Sequence, residues 1–457
     1  MSKTIDYFYE ISKIPRESGN ELKISEYLCE FARKRNLFYE KDNYNNVIIK
    51  KKNAEKPAII LQAHTDMVCE KEINKKFNFE KDSIEIYEEQ GFLKANGTTL
   101  GADNGIGVAQ ILNILDSNIE CNIEAVFTAT EETTMAGAEN INIGNLEAKR
   151  MINLDGFEEN TIIIESASFF DIILQLKNNF KMIKIDKKYK VSLTGMEGGH
   201  SGFDIDKNRG NASIELANFL NKIQDIRLIN FVGGTKFNVI PSSAEAEFVS
   251  ALNKYEIEKT IKEFVNTRKE KYDNLSINIE EIIVKANEHI LSYEQSYQFL
   301  DAVCRFKHGV FNKNSREEIT TSINLGVVDL KNKVFKIGMR SSKKQEEKKC
   351  LEYIKKYSLE NDLKFIILSS QPGFETKEDS EFISQIKRAF EDTNQEEKLS
   401  VKAVHITVEA GFFKRKKADL EVAIISPKII GAHTSKECVS IESVEKCDIW
   451  LKKILES

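Results

Sequence analysis

Ala58-Ile59-Ile60-Leu61-Gln62-Ala63-His64-Thr65-Asp66 is the stretch that decides the fold class. Its apolar start reads as a strand buried on both faces, and such strands belong to parallel sheets covered by helices. The strand ends in a histidine followed closely by an aspartate. Other stretches repeat the form: Ala125-Val126-Phe127-Thr128 delivers Glu131-Glu132, and Met151-Ile152-Asn153-Leu154 delivers Asp155. Val422-Ala423-Ile424-Ile425 leads through Pro427 and Gly431 to His433, and the glycine-rich turn from Thr98 to Gly107 carries Asp103 into an apolar helix around Val108 to Leu115. In an open parallel α/β sheet, loops leave the carboxyl ends of the strands along one edge, and sites assemble there. These residues are therefore expected to meet.

The residue types fit one chemistry. His64, Asp103, Glu132, Asp155 and His433 supply imidazole and carboxylate, the usual ligands of a borderline cation such as zinc. Gathered at one edge they could hold a pair of divalent metals, and such a pair usually serves hydrolysis. Asp103, held in a tight glycine turn, is the best candidate to bridge two ions. Asp66 lies two residues past His64, close enough to fold back on the imidazole's far nitrogen and fix its tautomer. Of Glu131 and Glu132, one can ligate a metal while the other takes a proton from the attacking water. Adjacent glutamates more often mark a solvated helix face. Here they follow an apolar strand and precede Thr133-Thr134-Met135-Ala136-Gly137, which is no charged surface helix. The Gly101 to Gly107 stretch lacks G-x-G-x-x-G spacing and has no P-loop lysine, so nucleotide binding is excluded.

Read in order, these blocks resemble the dinuclear zinc peptidases related to carboxypeptidase G, aminoacylase and peptidase T, and most of all their aminoacyl-histidine dipeptidase subgroup. The resembling text is residues 62–71, 97–109 and 128–138, then Gly198-Gly199-His200-Ser201-Gly202, Ser426-Pro427 and Gly431-Ala432-His433. The resemblance implies that His64 and Asp155 hold one zinc, that Glu132 and His433 hold the other, and that Asp103 bridges them, with cobalt or manganese able to substitute. It implies Glu131 as general base, Asp66 as support for His64, and His200, from a second domain, as oxyanion stabiliser. Asn238 and Arg340 match positions that contact substrate in such enzymes, and Arg340 would clamp a terminal carboxylate. Glu409 and His405 are further candidates for the substrate pocket, with a satisfied structural role the alternative for each. The departures (Gly156-Phe157-Glu158-Glu159-Asn160, Ser166-Ala167-Ser168-Phe169-Phe170, and Thr407 where a glycine is expected) touch no proposed ligand. They bear on side-chain preference.

The substrate implied is a short peptide, Xaa-His dipeptides such as β-alanyl-histidine among them. Related hydrolases act on N-acyl amino acids. A catalytically silent metal-binding assembly protein is a further alternative, which the intact Glu131 argues against. The net charge of −6, with acid and base interspersed, gives no basic block for nucleic acid. Seven cysteines without a C-x-x-C pair read as free thiols rather than a disulfide framework. The amino terminus lacks signal-peptide order and no apolar stretch is long enough to span a bilayer, so a cytoplasmic enzyme is expected, with a homodimer an option.

The fold class expected is α/β. Strand-helix alternation runs through Asp155 and resumes near Ser380, which implies a catalytic domain split over residues 1–187 and 378–457, with a mostly parallel sheet flanked by helices. Residues 188–377 form an inserted α+β lid or dimerisation domain. Within it the order strand, strand, helix, strand occurs twice, which suggests an internal duplication.

Overall fold

The computed structural model describes residues 2–177, 179–393 and 397–457. The chain divides into two units: Met1–Ser166, Gly373–Val404 and Val408–Ser457 form the first, Ala167–Pro372 and His405–Thr407 the second.

The first unit is built on an eight-stranded sheet. Its order is Phe38–Lys41, Val47–Lys51, Ile123–Thr128, Ile59–His64, Arg150–Asn153, Glu421–Ile424, Thr161–Ser166, Ser400–Val404. The four central strands, from Ile123–Thr128 to Glu421–Ile424, pair in parallel. Towards the Phe38–Lys41 margin the pairing is antiparallel. Ile59–His64 and Ile123–Thr128 are buried at every position, as strands covered on both faces must be. The Ala102–Leu115 helix is also buried throughout, and its sequence is accordingly apolar with no charged residue after Asp103. Phe8, Ile106, Leu112, Phe127, Phe390 and Trp450 belong to the core that joins sheet and helices. Truncating one of these large side chains costs about 2–5 kcal/mol. Because the central strands run the same way, the loops bearing His64, Glu131-Glu132, Asp155 and His433 leave from one edge.

The second unit carries a nine-stranded sheet in the order Ser276–Ile290, Lys181–Thr194, Ala244–Val249, Arg227–Gly233, Ile319–Asp329, Val334–Ser341, Ser168–Leu176, Leu363–Gln371, with Gly309–Lys313 added beside Ile319–Asp329. Its halves repeat one pattern. In the first, strand Lys181–Thr194, helix Ala212–Leu220, strands Arg227–Gly233 and Ala244–Val249, helix Lys254–Arg268 and strand Ser276–Ile290 lie in sheet order fourth, first, third, second. In the second, the strands Ser168–Leu176, Ile319–Asp329, Val334–Ser341 and Leu363–Gln371, with helices Tyr293–Arg305 and Lys344–Glu360, lie in the mirror order. The first half is thus inserted into the second, after its first strand. Ser168–Leu176 pairs with Val334–Ser341 and Leu363–Gln371, partners far along the chain, and this places the start of the unit at Ala167 rather than at the expected 188. Phe219, Phe231, Phe248, Phe299 and Phe335 fill its core. The Asn253–Glu256 and Ser292–Gln295 capping boxes set where two of its helices begin. Among the described residues no helix is long and apolar enough to cross a membrane, and all seven cysteines are free.

Candidate metal centre

The end of the Ile59–His64 strand places a buried imidazole at the sheet edge. His64 Nδ1 lies 3.1 Å from the Asp66 carbonyl and 3.5 Å from Asp66 Oδ1. The other nitrogen, Nε2, is 3.1 Å from Asp103 Oδ1 and 3.6 Å from Asp155 Oδ1. Asp103 turns its second oxygen to His433, with Oδ2 3.0 Å from Nε2, and the same His433 nitrogen is 3.0 Å from Glu132 Oε2. Potential ligand atoms therefore collect in two triads, His64-Asp103-Asp155 and Asp103-Glu132-His433, each within 4.8 Å, and Asp103 is common to both. A third group of the same tightness joins His64, Glu131 and Glu132.

Local structure explains how each side chain arrives. Gly101 opens the Asp103 turn at φ 70°, and a Cβ there would meet the Arg16 guanidinium, so the turn needs glycine for both reasons. Asp103 itself departs from helical angles at φ −79°, ψ 109°. Thr130 at φ 60° bends the chain after Thr128 and sends Glu131 and Glu132 back towards the sheet. Asp66 then holds that bend. Its Oδ1 accepts the Glu131 N–H at 3.0 Å, and its Oδ2 accepts the Glu132 N–H at 3.2 Å and the Ser18 hydroxyl at 2.7 Å. Asn104 donates to the Leu154 carbonyl at 2.7 Å and to Asp155 Oδ1 at 3.3 Å, while Asn153 Oδ1 accepts the Asp155 N–H.

The electrostatics follow from burial. Burial alone would lower the His64 imidazole, but Asp155, Asp103 and Asp66 outweigh it and hold it well above its ordinary value. His433 is raised to about 11, chiefly by Asp103 and Glu132. Burial would likewise raise Asp103, yet the two histidines hold it below the carboxylate range. Burial pushes Glu131 well above the usual carboxyl value, with Asp155, Glu132 and Glu409 adding and His64 opposing. Among the described residues, the ion pairs of Asp103, Glu132 and Asp155 are with histidine, and Glu132 Oε1 is buried without a hydrogen-bond partner. Asp103, Glu131, Glu132 and Asp155 around two imidazoles, with no lysine or arginine among the described residues paired to them and one orphaned oxygen, fit divalent cations.

The remaining predicted residues occupy other surroundings. Glu409 is fully buried in the first unit, where its Oε2 accepts Gln62 Nε2 at 2.8 Å and Thr128 Oγ1 at 2.5 Å. Burial pushes its carboxyl up to about 8. These contacts tie Glu409 to the Ile59–His64 and Ile123–Thr128 strands. His200, Asn238 and Arg340 lie in the second unit. The Gly202 N–H donates to His200 Nδ1 at 3.2 Å, which leaves the ring proton on Nε2. Burial, then Arg340, lowers that imidazole to about 4, so it is neutral at physiological pH. The Asn238 carbonyl accepts the Ser201 N–H at 2.8 Å. Arg340 is buried with its guanidinium 4.4 Å above the Phe169 ring; Nε reaches Ser201 Oγ at 3.3 Å and Nη1 reaches Thr407 Oγ1 at 3.4 Å. His405 Nε2 lies 2.7 Å from Ser322 Oγ.

Two residues in the first unit escape a sequence reading. Glu437 accepts backbone N–H groups from Leu100, Gly101 and Asp103, and Arg16 donates to the carbonyls of Thr65, Asp66 and Gly101. Only the spacing of Glu437, four residues past His433, hints at its place.

A parallel-centred sheet with imidazoles and carboxylates gathered at its carboxyl edge, and a buried glutamate among them, defines a metal-dependent hydrolase of the α/β class. The chain belongs to peptidase family M20/M25/M40, whose sequence profile matches residues 60–457. It is a metallopeptidase. It is 30% identical over 465 aligned residues to the cytosol non-specific dipeptidase of Escherichia coli (strain K12), an alignment covering 96% of this chain and 94% of that one. The crystal structure of aminoacylhistidine dipeptidase from Vibrio alginolyticus superposes with a TM-score of 0.85 at 26% identity, covering 99% of this chain and 96% of the other. The aminopeptidase PepT of Bacillus cereus shares the fold at a TM-score of 0.51 and 15% identity, covering 99% of this chain and 97% of that one.

Proposed function

We propose that this chain hydrolyses dipeptides, Xaa-His dipeptides such as β-alanyl-histidine among them, in the cytoplasm, with two zinc ions that cobalt or manganese can replace. The observation that carries the reading is the pair of triads sharing Asp103, with Glu131 set against His64 and Glu132. The names of the Escherichia coli and Vibrio alginolyticus relatives, a cytosol non-specific dipeptidase and an aminoacylhistidine dipeptidase, support the substrate class.

His64 and Asp155 would hold one ion, Glu132 and His433 the other, and Asp103 both. Bound divalent metals supply Lewis-acid polarisation of a peptide carbonyl and make an attacking water more acidic. Glu131 takes the proton from that water on a carboxylate oxygen and passes it to the leaving amine. Asp66 keeps His64 oriented and fixes the backbone of the Glu131-Glu132 bend. His200, neutral and with its proton on Nε2, donates to the oxyanion. Arg340 offers a planar fork to the terminal carboxylate of a short peptide, and Asn238 contributes a further substrate contact.

A panel of dipeptides including Xaa-His and β-alanyl-histidine, with tripeptides and N-acyl amino acids beside them, assayed with zinc, cobalt or manganese, tests the reading. Hydrolysis confined to free dipeptides is expected. Preferred cleavage of N-acyl amino acids or of longer peptides would overturn the substrate class, and undiminished cleavage after removal of metal by a chelator would overturn the metal reading.

A further inference from the structure

Glu437 is an acidic residue buried to 3% exposure, and what it touches is backbone. Its Oε2 accepts the N–H groups of Leu100 and Gly101, both at 2.8 Å, and its Oε1 accepts the N–H of Asp103 at 3.0 Å. These donors belong to the turn that starts the Ala102–Leu115 helix, where Gly101 supplies no side-chain cap of its own. The first N–H groups of a helix have no partner within it, and a carboxylate is the natural acceptor for them.

Glu437 stands on the same short loop as His433. The Thr434 N–H returns to the Gly431 carbonyl at 3.2 Å and the Glu437 N–H to the Thr434 carbonyl at 3.1 Å, so successive turns close the loop. One carboxylate therefore locks the Asp103 turn to the His433 loop, and Asp103 and His433 are members of one ligand triad. Arg16 makes the complementary tie. Buried to 2% exposure, it donates through Nη1 to the carbonyls of Thr65 at 3.1 Å and Asp66 at 3.2 Å, and through Nη2 to the carbonyl of Gly101. It joins the His64 loop to the same turn.

We infer that Glu437 is a positioning residue for the metal centre: it fixes the backbone of Asp103 against the His433 loop so that both oxygens of Asp103 are presented, one to each ligand triad. The inference rests on Asp103 being the ligand common to both ions. The bland alternative is a helix cap that stabilises the fold and leaves metal binding alone.

Glu437→Gln separates the two. The amide offers one oxygen where the carboxylate offers two, and its NH2 must face either the Asp103 N–H or the Leu100 and Gly101 pair. Zinc affinities are measured by competition with a chromogenic chelator, alongside the melting temperature with zinc and after chelator treatment, and kcat and KM for a cleaved dipeptide. Loss of a group that orients metal ligands typically weakens affinity 10–100-fold. The expected result is a weakening of that size for both ions, a smaller zinc-dependent rise in melting temperature, and a lower kcat with KM unchanged. Wild-type affinities overturn the inference, whatever happens to the chelator-treated melting temperature, because they leave Glu437 as a helix cap alone. If Glu437→Gln does not accumulate folded, Glu437→Asp takes the same readouts: it keeps the charge but is one methylene too short to hold all three N–H groups. Asp103→Ala tests the underlying reading. Both ions should weaken in it together, and retention of two tightly bound zincs would remove the shared ligand and this inference with it.

Discussion

Asp66→Asn changes one oxygen to an NH2 and should loosen the centre from behind. Asp66 is fully buried and accepts from the Glu131 N–H, the Glu132 N–H and the Ser18 hydroxyl, with His64 Nδ1 3.5 Å from Oδ1. Its two oxygens divide the backbone donors, Oδ1 taking Glu131 and Oδ2 taking Glu132. An amide can satisfy one of these and must turn an N–H towards the other. At least one hydrogen bond to a charged acceptor is lost, worth about 1.5–3 kcal/mol. His64 keeps the Asp66 carbonyl 3.1 Å from Nδ1 but loses the carboxylate charge 3.5 Å from it, and loss of such a supporting group typically costs 10–100-fold in metal affinity, or about 1.4–2.8 kcal/mol. The second route acts on the His64 triad, so zinc affinity there should fall 10–100-fold, while the first loosens the bend that carries Glu131 and Glu132. kcat at saturating zinc should stay low, because the Glu131-Glu132 bend is no longer fixed at both N–H groups. Chelator competition gives the affinity and steady-state cleavage of an Xaa-His dipeptide gives kcat. Ser18→Ala is the control: it removes one contact and leaves both backbone donors satisfied, so it should move affinity far less. Asp66→Asn protein with wild-type zinc affinity and kcat within about twofold would refute the argument that Asp66 organises both His64 and the bend.

Three further outcomes are expected. Glu131→Gln should retain both metals by elemental analysis and lose about a thousandfold in kcat, about 4 kcal/mol of barrier, because an amide cannot accept the proton; near-normal turnover at full occupancy would show that another group is the base. His200→Ala should lower kcat by a constant factor between pH 6 and 8: its depressed pKa of about 4 keeps the ring in one protonation state throughout that window, and Nδ1 gains a proton, giving up its bond from the Gly202 N–H, only as pH falls through 4. A wild-type to variant ratio of kcat that titrates near pH 6.5 would contradict this. Glu409→Gln should lower kcat and leave KM unchanged, because Glu409 is fully buried under Gln62 and Thr128; a rise in KM with kcat unchanged would instead make it a substrate contact.

The first unit was legible because its central strands are long apolar runs that end abruptly at polar residues, so strand ends and ligand positions carry one signal. His64, Asp155 and the Glu131-Glu132 pair could be placed along one edge for that reason, and His433 joined them by the same logic from the far end of the chain. Ser168–Leu176 was harder. A strand shows its own periodicity but not its partners, and this one pairs with Val334–Ser341 and Leu363–Gln371 across an entire inserted half-sheet. The order strand, strand, helix, strand was visible in both halves of the second unit, but not the strand that opens each, since Ser168–Leu176, the first strand of the later half, lies upstream of the whole earlier half. Glu437 and Arg16 left no pattern because they act on backbone groups, which every sequence contains. Glu409 stayed open between a substrate contact and a structural role, because nothing in the sequence shows that its carboxyl group accepts from Gln62 and Thr128 inside the first unit.

The geometry also explains why so costly an arrangement persists. Buried carboxylates are unfavourable unless each is paired, and raised carboxyl groups such as Glu131, Glu132 and Asp155 mark a place where pairing by protein cations is incomplete. Arg16 is the buried basic residue at the centre, and its hydrogen bonds go to carbonyls of the ligand loops rather than to the ligands. The positive charge is thus spent on holding the Asp103 turn and the His64 loop in place, while the ligand oxygens are left facing imidazoles and one another. A fold selected for stability alone would pair the arginine with those carboxylates or replace them with apolar side chains of similar volume. Leaving them to the two imidazoles alone, and holding their backbones by Asp66, Arg16 and Glu437, makes sense where the balancing charge is a bound metal.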